Sequence, residues 1–517
     1  MKEHSVVIAG GGPTGLMLAA ELALAEVDVV VLERRPSQEL AGSRAGGLHA
    51  RTIEILDQRG VAERFLAAGE TAQAAGFALN ILDISDFPTR HPYALGLFQN
   101  KIERILAEWV LELGVPIRYG VEVTGFDQDE GGVEVTLSDG DPLRAAYLVG
   151  CDGGRSRIRK AAGIGFPGWD ATTSALIAEV EMSEEPRAGS INDELGVRGM
   201  HVLEDGKTVR VIVTEQQLGP AGDVSLEELK RALRVSYETD FGVHDPIWVS
   251  RFTDSTRQAA SYREGRVLLA GDSAHIHYPT GGQGIQNGIQ DAVNLGWKLA
   301  QVIHGTSPES LLDTYEAERR PVTARTLKHT MAQTALMRPD ATGRVEALRE
   351  AMAETLLMDE PRKHFAGLLT QLDIRYALDE GGVGKNGESD SDGGSEVGES
   401  GDGDGRADHP LLGRRMPDLD LSTAAGPLRV YSLLHEARPA LINLGEPRSL
   451  DIGPWADRIQ SVDATYPGPW ELPVLGEVEP PSAVLVRPDG HVAWVGDGTE
   501  TGLPAALTTW FGEPMAL

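Results

Sequence analysis

The sequence predicts a mixed α/β chain. It combines a doubly wound, parallel-sheet domain that is discontinuous in sequence, a sheet-containing domain inserted into it, and a separate small α/β domain at the C-terminus. Three observations predict this. The chain opens on a strand-helix-strand pattern, short apolar strands of the same kind recur far downstream, and a run nearly free of apolar residues cuts off the C-terminal part.

Val6-Val7-Ile8-Ala9 reads as a short strand buried on both faces. Leu16, Ala19, Ala20, Leu22 and Ala23 then recur at helical spacing over 13–26, and 29–33 is a second apolar strand. Ala146-Tyr147-Leu148-Val149-Gly150 and Val267-Leu268-Leu269-Ala270 are further strands of this type, so the first domain spans 1–169 and 263–306. Between them, 172–182 and 208–214 alternate apolar and polar residues as half-exposed strands do, marking 170–262 as the insertion. Residues 307–378 are mostly helical by periodicity.

The segment 379–408 is mostly Gly, Ser, Asp and Glu. It has too little apolar surface to offset its ordering entropy and is expected to be a disordered acidic linker. Residues 409–517 return to ordinary composition, with strand or short-helix pieces at Val430-Tyr431-Ser432-Leu433-Leu434, Ala440-Leu441-Ile442-Asn443-Leu444 and Ala483-Val484-Leu485-Val486.

At 517 residues the chain exceeds one compact core, and 41% hydrophobic with 24% charged residues is ordinary for a soluble protein. A formal charge of −31 argues against nucleic acid or an anionic membrane as partner. The single cysteine, Cys151, excludes an internal disulfide framework and argues against a thiolate metal site; no metal is expected. No secretion signal and no apolar run of spanning length is found, so a cytoplasmic location is expected.

Gly10-Gly11-Gly12-Pro13-Thr14-Gly15 is a G-x-G-x-x-G sequence that follows a strand and opens a helix. Backbone approaches a pyrophosphate closely only where side chains are absent, and a helix N-terminus offers N–H groups and partial positive charge. Glu33 ends the next strand, where a carboxylate accepts from ribose hydroxyls. This motif indicates a dinucleotide without separating FAD from NAD. A second match, Gly382-Val383-Gly384-Lys385-Asn386-Gly387, lies in the acidic linker without strand or helix and is discounted.

Gly271-Asp272-Ser273-Ala274-His275 follows the strand 267–270, and Pro279, Gly281, Gly282, Gln283 and Gly284 precede a helix reaching about 303. Asp272 is placed to accept a ribityl or ribose hydroxyl. A bare helix start, worth about half a positive charge, would stabilise the anionic N1–C2=O edge of a reduced flavin. Cys151-Asp152-Gly153-Gly154-Arg155-Ser156-Arg157-Ile158-Arg159 supplies a third motif after the strand ending at Gly150.

In this order the three motifs resemble the group A FAD-dependent aromatic hydroxylases, the para-hydroxybenzoate hydroxylase fold. Ser43-Arg44-Ala45-Gly46-Gly47-Leu48-His49 and Gln99-Asn100-Lys101-Ile102-Glu103-Arg104-Ile105-Leu106 also find counterparts there. The chain looks similar to the bacterial branch acting on aromatic polyketides, whose members carry a C-terminal thioredoxin-like domain. Val486-Arg487-Pro488-Asp489-Gly490-His491-Val492-Ala493-Trp494 resembles that domain, without a C-x-x-C and hence without dithiol exchange.

The resemblance implies a Rossmann-like FAD domain, with 170–262 as substrate domain shaping the pocket. It implies that Gly12, Pro13, Thr14, Gly15 and Glu33 hold the ADP part, and that Arg44 and Gln99 touch FAD. Asp152 would serve FAD and NADPH, and Asp272, Ile285 and Gln286 the ribityl and ring. Gly10, Arg34, Val123, Pro279, Gly282 and Gly284 complete the cofactor candidates. Gln286-Asn287 stands where many members have Asn first, so which amide faces the flavin stays open.

The implied reaction uses NADPH (NADH as alternative) and O2 to hydroxylate a polycyclic aromatic polyketide through a flavin C4a-hydroperoxide, in antibiotic biosynthesis. Such chemistry needs an apolar, dry pocket. Baeyer–Villiger, epoxidising or ring-opening outcomes share every motif, and a non-enzymatic flavin redox sensor or scaffold is the alternative of a different class. A halogenase is disfavoured by the absence of W-x-W-x-I-P. No acid or base is assigned; Arg44, His49 and Pro279 are the catalytic candidates. His275 reads as a structural residue, and His277 and Tyr278 as pocket-lining candidates. The sequence does not encode the oligomeric state.

Overall fold

The computed structural model describes residues 2–378 and 409–515 apart from Ala221, Pro339 and Ala341. The expected acidic linker 379–408, with its isolated glycine motif, lies outside the described residues.

The central sheet is built from β1 (Lys2–Ala9), β2 (Val29–Glu33), β3 (Ile117–Tyr119), β4 (Leu143–Gly150) and β5 (Val267–Leu269). They lie parallel in the order β5-β4-β1-β2-β3. Strands separated by more than a hundred residues are therefore neighbours, which is the discontinuity expected from the sequence. Val6, Val7 and Ile8 are fully buried, as a parallel strand covered on both faces requires. The hairpin Val123–Asp129 with Gly132–Leu137 pairs antiparallel with the start of β4 and extends that strand three residues upstream of the predicted 146–150.

The helices that matter for the site are α1 (Pro13–Leu24), α2 (Ala50–Gln58), α3 (Gln99–Glu112), α4 (Gln283–Ile303) and α5 (Asp313–Met337). The sequence predicted α4 to its last residue, because its apolar face of Ile289, Ala292, Val293 and Leu299 is wholly buried in the main core.

The insertion forms an antiparallel sheet among the described residues. Its order is Gly189–Asp193, Gly196–Val202, Val209–Thr214, Ser174–Met182, Val243–Thr253. Leu229 and Leu233 of the helix Leu226–Tyr237 join that sheet's core. A second, unexpected layer comes from 70–96. Its short strands pack through Phe77 and Leu82 on the helices Arg344–Leu356 and Asp359–Thr370.

The C-terminal thioredoxin-like domain has the sheet order Gln460–Asp463, Ala440–Asn443, Ala483–Val486, Val492–Gly496. Val430–Leu434 is a 3-10 turn rather than a strand. Its turn 487–491 is driven into the first domain. Arg487 pairs with Glu318 of α5 at 2.6 Å and also with Asp489; Glu318 pairs with Lys298 of α4 at 3.0 Å. Burial alone would lift the Glu318 carboxyl, but Arg487 and Lys298 hold it at about 2. Burial lowers Lys298 to about 8 against the opposing pull of Glu318. A buried set of alternating charges holds only while every member is paired, and removing one costs about 3–5 kcal/mol.

Candidate functional site

The C-terminal ends of parallel strands share one edge of the sheet, where such folds bind ligands. β1 delivers Gly10 to that edge, β2 delivers Glu33, β4 delivers Asp152 and β5 delivers Asp272. The three sequence motifs are thus brought together by topology alone.

At Gly10 and Gly15 the chain permits no side chain. A Cβ on Gly15 would stand 2.0 Å from the Gly10 carbonyl oxygen, and one on Gly10 would stand 2.3 Å from that of Cys151. A Cβ on Gly12, by contrast, would project into open space with nothing within 4 Å. That bare approach to the start of α1, with Pro13 at the first turn, fits a pyrophosphate. Thr14 follows on the same turn.

Glu33 is buried and accepts from the Gly11 N–H at 2.7 Å and the Arg35 N–H at 2.8 Å. Arg35 donates to the Gly11 carbonyl at 3.1 Å and to Glu103 of α3 at 2.8 Å. Glu103 also accepts from Gln99 at 2.8 Å. The glycine loop is therefore braced by Arg35 and Glu103, which sequence reasoning missed. Their signal was an acid one turn after Gln99 on the buried face of α3. Arg34, a cofactor candidate from the sequence, is exposed, and Val123 is buried.

Asp152 accepts from the Arg157 N–H at 2.6 Å and from the Ser273 hydroxyl at 3.0 Å. The exposed carboxylate of Asp272 receives no hydrogen bond from a described residue and its charge reaches Arg44. Cys151 is half-buried, and burial pushes its thiol up, leaving it unreactive.

Behind Asp272, the buried Asp291 carboxylate accepts from the Gly271 N–H at 3.1 Å, from His275 at 2.7 Å and from Arg319 at 2.8 Å. Burial alone would raise Asp291, but His275 and Arg319 outweigh it and hold the carboxyl below its ordinary value. His275 is a structural anchor, as the sequence suggested.

Gly281 and Gly282 have φ of +73° and +63°, a conformation that strains any side-chain-bearing residue. They turn the chain from Pro279 into α4, whose start carries no side-chain cap. Its free N–H groups at Gly284 and Ile285 and the helix dipole form an anion-stabilising end. Both amides left open by the sequence are turned inward. Gln286 accepts from His49 N–H at 3.2 Å and donates to Gly47 O at 3.1 Å, while Asn287 bonds Gln283 and Gln371.

A cleft of about 720 Å³ opens beside this helix start. Its walls are Gly46–His49 (46–49), the layer 70–79, 94–96, and Thr280 to Gly282 (280–282). Small residues dominate, among them Ala72, Ala74, Ala75, Ala78 and Ala94. No described residue of 170–262 lines it. The inserted sheet instead backs the Arg44 loop: Ser250 accepts from Arg44 at 2.9 Å, Arg210 donates to the Arg44 carbonyl at 3.2 Å, and Trp248 lies against Gly42. The pocket-forming role of 70–96 was hidden because its strands are too short to give a period.

His49 donates through Nε2 to the Gly281 carbonyl at 3.0 Å, which fixes its tautomer, and burial lowers its imidazole to about 4. Such a group is neutral at physiological pH and a weak proton acceptor. His277 bonds the Tyr278 carbonyl at 2.7 Å and does not line the cleft, and Pro279 is exposed at the turn. Gln333 of α5 was not anticipated. It is 1% exposed, accepts from the Ala78 N–H at 3.2 Å, and its Nε2 has no hydrogen-bond partner among the described residues. It lines the cleft together with Met337.

Comparison with known proteins gives two matching families, described as an FAD binding domain over residues 3–330 and as aromatic-ring hydroxylase, C-terminal, over residues 409–514. The 12-dehydrotetracycline 5-monooxygenase/anhydrotetracycline 6-monooxygenase of Streptomyces rimosus is 42% identical over 540 residues, covering 99% of each chain. The rifampicin monooxygenase of Streptomyces venezuelae is 41% identical over 522 residues, again with 99% of each covered. The structure of the anhydrotetracycline hydroxylase OxyS from Streptomyces rimosus superposes with a TM-score of 0.86 at 42% identity, over 99% of this chain and 100% of that one.

Proposed function

The chain belongs to the FAD-binding aromatic-ring hydroxylase family, and from that premise we propose that it hydroxylates a polycyclic aromatic polyketide with NADPH and O2 in antibiotic biosynthesis. The observation carrying the proposal is the cleft of about 720 Å³, walled by alanine and glycine, that opens at the bare N-terminus of α4. Its volume lies within the range of ligand pockets, and small wall residues leave room for a polycyclic ligand.

When bound, FAD supplies the hard chemistry, accepting electrons from the nicotinamide and activating O2. The residues' part is to hold and to shield. Gly12 to Gly15 receive the pyrophosphate, Glu33 the adenosine ribose, and Asp272 and the N–H groups of Gly284 and Ile285 the ribityl chain and ring. Arg44 would touch FAD and Asp152 would serve FAD and the nicotinamide dinucleotide, as the family resemblance implies. Apolar walls exclude water from the reacting atoms. Gln333 Nε2 and Thr280 Oγ1, both in the cleft wall and both without a hydrogen-bond partner among the described residues, are the polar groups that would meet a substrate phenolate or carbonyl.

Residues 1–169 and 263–306 form the FAD-binding domain and 170–262 the inserted domain in this reading, supported by the strand order of the main sheet. Among the described residues no helix is long and apolar enough to cross a membrane. Use of NADPH favours a cytoplasmic location. The proposal is tested by NADPH oxidation with the purified yellow protein: an aromatic polyketide should accelerate it, and a rate indifferent to any such compound would reject the reading.

A further inference from the structure

The C-terminal domain has no cysteine pair, yet its turn 487–491 is among the most buried parts of the chain: Arg487 is 0%, Asp489 2% and His491 3% exposed. Three of its routes into the first domain lead toward elements of the cofactor site. Arg487 grips Glu318, and the next residue on α5, Arg319, grips Asp291 at 2.8 Å. Asp291 in turn accepts from Gly271 N–H and His275, which flank Asp272.

A second route runs through His491. Its ring lies 4.2 Å from that of Tyr376, whose hydroxyl accepts from Arg319 at 3.2 Å. A third runs through carbonyls. Arg51 of α2 donates to the Asp489 carbonyl at 3.0 Å, and Arg59 donates to the Pro488 carbonyl at 2.8 Å. Arg59 also clasps Glu21 of α1, the helix that begins at the glycine motif, at 2.7 Å.

We propose that the turn 487–491 is a positioning device for FAD: Arg487 and His491, acting through Glu318, Tyr376, Arg319 and Asp291, hold the Gly271–His275 (271–275) segment in its cofactor-binding geometry. The domain's role is to fix the flavin site from behind, and it touches neither flavin nor substrate. A merely structural domain would contribute stability without setting the affinity or electronic environment of the cofactor.

The test uses the full-length holoenzyme and three variants. Tyr376→Phe removes the hydroxyl that orients Arg319 and keeps the ring against His491. Arg487→Lys keeps the charge but loses the two-pronged grip on Glu318. Val484→Ala, on the strand that leads into the turn, loosens the C-terminal domain's own core while leaving every charged and polar group of the turn in place. The FAD dissociation constant and flavin reduction potential are measured beside the melting temperature. Tyr376→Phe and Arg487→Lys are expected to weaken FAD binding several-fold and to shift the potential. Val484→Ala should lower the melting temperature with both flavin properties unchanged. Folded Tyr376→Phe with wild-type affinity and potential overturns the proposal, even if Arg487→Lys fails to fold. Equal flavin effects from Val484→Ala overturn it too, because stability alone would then account for them.

Discussion

Ser273 donates a hydrogen bond to Asp152 at 3.0 Å, joining two strand-end motifs that lie 121 residues apart. The same hydroxyl accepts from the Gly153 N–H at 3.1 Å, so it ties the end of β4 to the end of β5. Ser273→Ala removes the partner of the part-buried Gly153 N–H and of the Asp152 carboxylate, a loss of about 1–2 kcal/mol. The expected result is weaker FAD retention, by roughly tenfold, with little change in fold. Flavin fluorescence titration of the apoprotein checks it.

Gly15→Val tests the close approach at the first motif. The Cβ would stand 2.0 Å from the Gly10 carbonyl, against rigid backbone. The expected product is a protein that cannot be reconstituted with FAD and is less stable by about 2 kcal/mol or more. Absorbance of reconstituted protein and thermal melting measure the two effects.

Gln333→Leu should raise KM for the aromatic substrate about tenfold, the value of one lost hydrogen bond, and leave FAD affinity unchanged. Steady-state kinetics beside flavin titration separate the two. An unaltered KM would remove Gln333 from substrate recognition.

Burial lowers the His491 imidazole from 6.5 to about 4, against the opposing pull of Asp489. Between those values the unfolded chain binds a proton that the folded chain refuses. Stability from this group is therefore complete above 6.5 and is lost as the pH falls toward 4, by up to about 3 kcal/mol. Melting temperature should fall across that window and fall less in His491→Leu. Parallel pH curves for the two proteins would contradict this assignment.

The sequence made the nucleotide edge legible because close backbone approach leaves glycines at fixed offsets and buried parallel strands leave apolar runs. Gly10 to Gly15, Asp272 and α4 follow from local pattern, whereas Asp152, a turn signal by itself, follows from the family resemblance. Arg35, Glu103, Asp291 and Arg319 do not. They act through partners distant in the chain, such as Glu103 with Arg35 or Arg319 with Asp291, and nothing local marks a charge as buried. The cleft walls at 70–96 escaped for another reason, since strands of three or four residues carry no readable period. The orientation of the Gln286 and Asn287 amides depends on the packing of 47–49 and on Gln371, which local sequence does not reveal.

The central claim is that one oxygen atom of O2 is placed on an aromatic carbon. Turnover of an aromatic polyketide under oxygen-18 gas with NADPH, followed by mass spectrometry and NMR of the product, tests it most directly. The expected product is heavier by one labelled oxygen, located on a ring carbon with the ring intact. A product without the label, a lactone or opened ring, or an unoxidised isomer of the substrate would contradict it.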